Sequence, residues 1–228
     1  MWSFIEGIIV SYNGNDFLVL GSRDNEEEVG KVFNYVKDSS NCFQIATYEV
    51  LNYLEVLEDY LYLDSDSVII TGLKQKGEEK LETTKKLLIP ATILGTDGIE
   101  YNVTEITAYA FRDNKDIEKL EFESGSKLRR IDEYVFNGCS NISGEIVIPN
   151  SVTMIGQYAF GGCTLVEKLT LPGSVEALSC LVFDDWINTQ IIYMQGRTEP
   201  PVTIDDYQGM GWSHGWKSGC DANIVWDN

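Results

Sequence analysis

The sequence predicts a β-rich solenoid with a small α+β N-terminal domain or cap. The main observation is one six-residue phrase that ends in phenylalanine and is written four times, at Ile106–Phe111, Ile131–Phe136, Ile155–Phe160 and Leu178–Phe183. The phenylalanines follow one another at steps of 25, 24 and 23 residues. A unit of this length cannot bury its own apolar face, so self-similarity at this period predicts repeats that stack and cover one another.

The second observation is a set of apolar columns that keep the same register as the phrase. Two columns are predicted to lie inside the solenoid, as ladders with rungs ~4.8 Å apart: the phenylalanines of the phrase, and the strand centres Leu120, Ile146, Leu169 and Ile191. Two more columns align in the same register. They are the strand ends Ile89, Phe122, Ile148, Leu171 and Tyr193, and the residues three before the Ile or Leu that opens each phrase, Val103, Leu128, Val152 and Val175.

Alternation along each strand then predicts which side chains face outward. On the main strands these are Lys119, Glu121, Glu145, Val147, Lys168, Thr170 and Ile192, and on the second strand of each repeat they are Thr104, Arg129, Arg130, Thr153, Met154 and Glu176.

The third observation is that residues 1–66 contain no copy of the phrase. Asn13-Gly14 between two apolar runs predicts a β-hairpin. Val29, Val32, Phe33 and Val36 share one helical face and predict a helix that ends near Lys37. A second helix is predicted between Tyr48 and Leu61, with a strand over Cys42–Tyr48 as the alternative.

These patterns divide the chain into an α+β domain or cap at 1–66, a repeat array at 67–194 and a capping segment at 195–228. Strands are expected from Ser67 and before Pro90, with a polar turn over Lys74–Lys80 between them. A final strand over Asn223–Trp226 is expected to add the last rung.

Charge limits the classes of partner. The chain carries 36 acidic and 17 basic residues, a net charge of −19, and −10 of this lies in residues 1–66. Such a surface repels nucleic acid and anionic lipid. No apolar run reaches the ~18 residues of a membrane-spanning helix, so neither nucleic-acid binding nor membrane insertion is expected. The N-terminus lacks a basic region before its apolar run, so the chain is predicted to be cytoplasmic unless a leader has been removed.

No motif for catalysis, a cofactor or a metal was found, and we predict a protein that is not an enzyme. The five cysteines include no CxxC pair. Cys139 and Cys163 each follow a repeat phenylalanine by three residues, where they are predicted to be small buried side chains rather than a disulfide.

Residues 146–163, which read Ile-Val-Ile-Pro-Asn-Ser-Val-Thr-Met-Ile-Gly-Gln-Tyr-Ala-Phe-Gly-Gly-Cys, resemble the BspA-like leucine-rich repeat of bacterial and protist surface proteins. The tryptophan-rich tail that ends in Ile224-Val-Trp226 is similar to the way such arrays end. The resemblance covers about residues 67–228. It implies a leucine-rich repeat fold at the cell surface or outside the cell, and adhesion to a protein or glycan rather than catalysis. The alternative role is a rigid spacer that docks through the acidic N-terminal domain.

Two groups of residues are candidates for partner binding. Lys127, Arg129 and Arg130, with Met154 beside them, form the main basic cluster in an acidic molecule, and arginines are frequent at binding hot spots. Their alternative role is a solvated surface that offsets Asp132 and nearby glutamates. The second group is Trp212, His214 and Trp216, which could stack on a carbohydrate; alternatively, the tryptophans close the end of the solenoid.

Overall fold

The computed structural model describes residues 6–12, 15–21, 32–37, 43–48, 54–58, 67–73, 75–94, 100–199, 203–204 and 211–227. The chain divides into two compact units. One contains residues 1–52 and 94–100, and the other contains residues 53–93 and 101–228. Among the described residues, no helix is long and apolar enough to cross a membrane.

The first unit contains an antiparallel sheet of four strands in chain order, β1 (Glu6–Tyr12), β2 (Asn15–Gly21), β3 (Val32–Lys37) and β4 (Phe43–Tyr48). The predicted hairpin is confirmed, since β1 pairs with β2 and Tyr12 lies opposite Asn15. Its turn at 13–14 lies outside the described residues. The strand alternative over Cys42–Tyr48 is confirmed by β4.

Both helices predicted for residues 1–66 are wrong wherever the structure describes them. Residues 32–37 form β3, which pairs with β2 and β4, and residues 54–58 form strand β5 (Leu54–Glu58). Val32 and Val36 are β-branched residues that fit a pleated sheet, and pairing on both edges outweighs their helical spacing. The described part of this unit is therefore β rather than α+β. The start of the first predicted helix, in residues 22–31, lies outside the described residues.

The second unit begins with β5 and contains one helix and fourteen further strands in the described residues. They are β6 (Ser67–Leu73), α1 (Gln75–Thr84), β7 (Lys86–Ile89), β8 (Thr92–Leu94), β9 (Glu100–Ile106), β10 (Lys119–Phe122), β11 (Arg130–Ile131), β12 (Gly144–Val147), β13 (Met154–Ile155), β14 (Val166–Pro172), β15 (Ala177–Leu178), β16 (Ile191–Gln195), β17 (Thr203–Ile204), β18 (Trp212–Ser213) and β19 (Asn223–Trp226).

Helix α1 corrects the turn that was predicted over Lys74–Lys80. The helix buries little besides Leu81, which is 3% exposed, so it lacks the apolar stripe by which helices are recognised. The strands predicted at Ser67, before Pro90 and at Asn223–Trp226 are confirmed by β6, β7 and β19.

Each repeat contributes one strand to the first sheet and one strand either to a second sheet or to the separate pair of β7 and β10. The first sheet has the order β17-β18-β15-β13-β11-β9-β6-β5, with β8 beside β9. The second sheet has the order β12-β14-β16-β19 and is parallel throughout, and β10 pairs in parallel with β7. Successive repeats therefore stack rung on rung, as the period predicts.

The interior between the sheets is filled by the repeated apolar residues. Phe111, Phe136, Phe160 and Phe183 are at most 2% exposed, and their rings stack at centroid distances of 5.5, 5.4 and 6.3 Å. The column before each phrase is fully buried: Val103, Leu128, Val152 and Val175 are each 0% exposed. The phenylalanine ladder is confirmed as scaffold, and the Val103 column adds a second buried ladder.

The strand-centre column is confirmed except at its last member. Ile146 pairs with Leu169, and Leu169 pairs with Ile192 instead of Ile191. Ile192 is 0% exposed, so its predicted outward position is wrong. Thr170 and Thr104, also predicted to face outward, are 9% and 2% exposed.

A second aromatic column lies along the turns, where Tyr109, Tyr134 and Tyr158 stack at 5.1 and 5.0 Å. All three have positive φ, between 56° and 66°, and Leu181 at the same place in the fourth repeat has a φ of 58°. The left-handed backbone is thus required by the repeat itself and not by the ring. It costs roughly 1–2 kcal/mol for such a residue, and ring stacking of ~0.5–1.5 kcal/mol offsets part of this in the first three copies.

The predicted burial of Cys139 and Cys163 is confirmed: both are 0% exposed and free. Each thiol donates a hydrogen bond to the carbonyl of the phenylalanine one repeat earlier, at 3.0 Å from Cys139 to Phe111 and 3.2 Å from Cys163 to Phe136. Trp186 takes this place in the fourth repeat, and its Nε1 donates to the Phe160 carbonyl at 2.9 Å. The column is therefore a set of donors that satisfy buried carbonyls.

We expect the thiols of Cys139 and Cys163 to resist alkylation in the folded protein. Burial raises the pKa of Cys139 to about 12 and that of Cys163 well above its usual value, so almost no thiolate exists at pH 8. Peptide mass spectrometry after iodoacetamide treatment should find both unmodified while half-buried Cys180 reacts, and should find them modified in denaturant. Equal labelling of Cys139 and Cys180 in the native protein would contradict this account.

Candidate functional site

The basic cluster predicted from sequence is only partly available on the first sheet. Lys127 is exposed, whereas Arg129, Arg130 and Met154 are half-buried. Arg130 and Met154 are register partners on β11 and β13. The Arg130 guanidinium lies 3.2 Å from a carboxylate oxygen of Asp132 and 3.8 Å from one of Glu105. Its charge is already balanced within the chain, as the alternative interpretation of this cluster expected.

The tryptophans of the tail contribute to the core. Trp212 and Trp216 are 1% and 5% exposed, and their rings meet edge to face at 5.3 Å. The indole of Trp212 donates to the Val175 carbonyl at 3.0 Å, and the Arg197 guanidinium lies over its ring. His214 between them is exposed. The geometry agrees with the capping alternative, because neither ring offers a face for a carbohydrate.

The outward face of the second sheet gives a different candidate surface. Pairing aligns two outward-facing rows across its four strands. We call them the polar row, Glu145, Lys168, Ile191 and Asn223, and the apolar row, Val147, Thr170, Tyr193 and Val225. Between them Ile146, Leu169 and Ile192 point into the core, at 1%, 0% and 0% exposure.

The apolar row is exposed at both ends. Val147 is 58% and Val225 is 42% exposed, and Tyr193 is half-buried between them. Large exposed aliphatic side chains in one aligned row form a patch rather than scattered surface residues, and patches mark binding sites more often than single residues do. Thr170 lies low between Val147 and Tyr193, since it is 9% exposed.

Tyr193 is held in place by the end of the chain. Its hydroxyl donates to Asp227 Oδ1 at 2.7 Å, and this bond to the carboxylate raises the pKa of Tyr193. The other oxygen, Asp227 Oδ2, accepts from the backbone amide of Gly196 at 2.8 Å. The Lys168 ammonium lies 5.6 Å from the ring centre and 3.8 Å from a carboxylate oxygen of Glu145. The ring is thus positioned before any ligand arrives.

Ion pairs continue on the neighbouring strands β7 and β10. Lys86 and Lys119 lie opposite each other in register, and both contact Glu121, at 2.6 and 2.7 Å. The hydrogen bond from Lys119 and, to a smaller extent, the one from Lys86 lower the pKa of the Glu121 carboxyl. Within the described residues, no three His, Cys, Asp or Glu side chains come together as a metal site requires.

Sequence reasoning placed Val147 on this face but did not place Tyr193 there, since it aligned Tyr193 only as the end of a strand. The error is one of phase in β16, where the interior position was set at Ile191. The fourth repeat steps by 23 residues between its phenylalanines. The same step taken from Leu169 reaches Ile192, and alternation from there places Tyr193 outside. That signal was available in the sequence.

Comparison with known proteins agrees with this architecture. Residues 94–198 match the family model of the BspA type leucine-rich repeat region, in six copies. No curated protein matches the chain.

Several solved leucine-rich repeat structures are similar to it. One from Bacteroides capillosus is 18% identical with a TM-score of 0.44, over 72% of this chain and 88% of that chain. One from T. pallidum is 18% identical with a TM-score of 0.46, over 78% and 82%. A leucine-rich cell surface protein from Faecalibacterium prausnitzii is 14% identical with a TM-score of 0.42, over 78% and 54%. The family match and the stacked columns agree on a leucine-rich repeat fold for the described part of residues 94–198, which are similar to the BspA type of repeat.

Proposed function

We propose that this protein is a non-enzymatic binding module that holds a protein or glycan partner at a cell surface. The observation that carries the proposal is the apolar row of Val147, Thr170, Tyr193 and Val225, in which the two valines are exposed and Tyr193 is half-buried, on a parallel sheet whose opposite side is tightly packed. The adhesive role that the BspA type of repeat implies supports it.

Rigidity of the sheet supports the choice of this face. The first three strands of the second sheet are anchored underneath by Ile146, Leu169 and Ile192, which are at most 1% exposed. A surface that does not rearrange loses little conformational entropy on binding, which favours affinity. The cluster of Lys127, Arg129, Arg130 and Met154 stays a second candidate surface, although Arg130 is already ion-paired.

We expect the double variant Val147→Glu/Val225→Glu to weaken partner binding at least tenfold. Two carboxylates in the apolar row would have to be desolvated on contact, and a combined cost of ~1.4 kcal/mol already gives a tenfold loss. The measurement is biolayer interferometry of the immobilised protein against purified extracellular matrix proteins and polysaccharides.

The matched control is Leu165→Glu/Ile187→Glu, because these side chains are 56% and 51% exposed but lie outside both rows. It should bind as the unchanged protein does. Loss of binding in Arg129→Glu/Arg130→Glu with none in Val147→Glu/Val225→Glu would move the site to the first sheet. If no partner is held, or if neither variant affects binding, the proposal fails and the spacer role is the better account.

The spacer role is favoured by one observation. Phenylalanine rings stack without interruption from Phe111 to Phe183, which couples each repeat to the next through the core. In such arrays each repeat is stabilised by its neighbours, so a continuous core makes a stiff rod. The acidic segment 1–66 would then supply the docking part.

A further inference from the structure

We infer that the ligand of the second sheet is a neutral polysaccharide that stacks on Tyr193. This deepens the proposed function and rests on it. Four features of the outward face carry the inference: its size, the pairing of its charges, the fixed aromatic ring and the lack of a free backbone edge beside that ring.

The face is too small for a stable protein–protein interface. Four strands at a spacing of about 4.8 Å and about five residues at 3.3 Å each give an area of roughly 300 Å². A stable interface of ordinary size buries about 800 Å² on each partner. A narrow chain that lies across the strands fits this area.

The charges on the face are satisfied within it. Lys168 lies beside Glu145 and over Tyr193, and Asp227 accepts from both Tyr193 and the Gly196 amide. Glu167 at the start of β14 is exposed and adds a negative charge, in a chain whose net charge is −19. A polyanion would be repelled at long range, and Lys168 cannot serve it without leaving Glu145. An uncharged ligand is not repelled by the acidic chain and does not require Lys168 to leave Glu145.

The ring of Tyr193 suits the two kinds of surface that a sugar offers. Sugars present C–H faces that pack on an aromatic ring and hydroxyl groups around their rim. Here an apolar row with a held ring runs beside a row that contains Glu145, Lys168 and Asn223, all able to hydrogen-bond to hydroxyls. Because Asp227 fixes the ring before binding, little side-chain entropy is lost when a sugar stacks on it.

An extended peptide fits less well. Peptides that bind to sheets usually add a strand at an edge, where backbone hydrogen bonds supply the affinity. Tyr193 lies on β16, which is paired on both sides, with β14 and with β19. At this ring a ligand is reached by side chains, and a polysaccharide, unlike an added strand, does not need an unpaired backbone edge.

Affinity electrophoresis tests the inference. The full chain is run in native gels that contain dextran, yeast mannan, galactomannan, laminarin or hydroxyethyl cellulose, with heparin as the polyanion. We expect retardation by at least one neutral polymer and none by heparin. Tyr193→Leu should raise the apparent Kd at least tenfold. Tyr193→Phe, which keeps the ring and loses the bond to Asp227, should stay within about threefold, a difference under ~0.7 kcal/mol.

Tyr158→Leu is the matched control, since that tyrosine lies in the turn column away from the face, and it should bind normally. If Tyr193→Leu unfolds, Val225→Glu reports on the same row. Retardation by heparin alone, no retardation by any neutral polymer, or binding that Tyr193→Leu and Val225→Glu leave unchanged would each overturn the inference. Binding of a matrix protein that Val147→Glu/Val225→Glu abolishes, with no neutral polysaccharide bound, would keep the binding function and reject the glycan.

Discussion

Replacing Phe136 by alanine is expected to destabilise the repeat array by about 3–5 kcal/mol. The ring is 0% exposed and lies between Phe111 and Phe160, with centroid distances of 5.5 and 5.4 Å and interplanar angles of 9° and 22°. Alanine removes the buried ring, leaves a cavity that the stacked backbone cannot close, and breaks two aromatic contacts. Because a repeat is stabilised through its neighbours, the loss in the middle of the array affects both sides.

The measurement is urea unfolding followed by circular dichroism, with thermal unfolding as the second observable. For a chain of this size about 2–4 °C is lost for each kcal/mol, so the midpoint should fall by roughly 6–20 °C. Leu165→Ala is the control, since that side chain is 56% exposed and should change stability by less than about 0.5 kcal/mol. A loss below about 1 kcal/mol for Phe136→Ala would mean that the phenylalanine column is not the central element of the core.

The fold of the repeat array could be predicted because the same position in every copy holds a buried apolar residue. Ile106, Ile131, Ile155 and Leu178 are each 0% exposed, as the recurring phrase predicts. Four independent copies of one pattern reduce the ambiguity that a single short apolar run carries between helix and strand. Most of the interior of residues 100–199 could therefore be assigned from the sequence, including the burial of Cys139 and Cys163 but not the phase of β16 or the burial of Thr104 and Thr170.

The secondary structure of segments without a repeat was harder to predict, because a spacing that fits a helix by chance cannot be checked against further copies. The spacing of Val32, Phe33 and Val36 fits a helix, yet β3 pairs with the strands before and after it, and such pairing leaves no periodic signal at 32–37 itself. Helix α1 shows the opposite error, because it is a helix that was predicted to be a turn. It is rich in Glu and Lys, which favour helices, but its single well-buried Leu81 gives no apolar stripe.

The sequence predicted which side of β12 is exposed, but it did not predict the aromatic ring on this face or the contacts that hold it. Alternation along β12 placed Val147 outside, which the structure confirms. Tyr193 required the phase of β16, and its anchoring required Asp227, thirty-four residues later in the chain. The ion pairs that balance Arg130 and Lys168 likewise join neighbouring strands and depend on register. Contacts of this kind follow from the stacking of repeats, so they could be assigned only once the register of each rung was known.

Replacing Trp186 by alanine is expected to cost at least as much as the Phe136 change, about 4–6 kcal/mol, because two effects combine. Trp186 is 1% exposed and meets the edge of Phe183 at 5.2 Å, so truncation creates a large cavity. It also leaves the Phe160 carbonyl without the Nε1 donor at 2.9 Å, and an unsatisfied buried acceptor costs about 1–3 kcal/mol. The Trp186 carbonyl itself accepts from Asp221, which leads into β19.

The two effects separate in Trp186→Phe, which keeps most of the volume and loses only the donor. We expect this variant to lose about 1–3 kcal/mol in urea unfolding, clearly less than the alanine variant. Hydrogen exchange of the amides in β16 and β19 should speed up in Trp186→Ala more than that of the amides in β9 and β11, because the side chain joins the last repeat to the C-terminal segment. Equal losses in the two variants would contradict the cavity contribution, and uniform exchange across all four strands would contradict the local role of Trp186 at the end of the array.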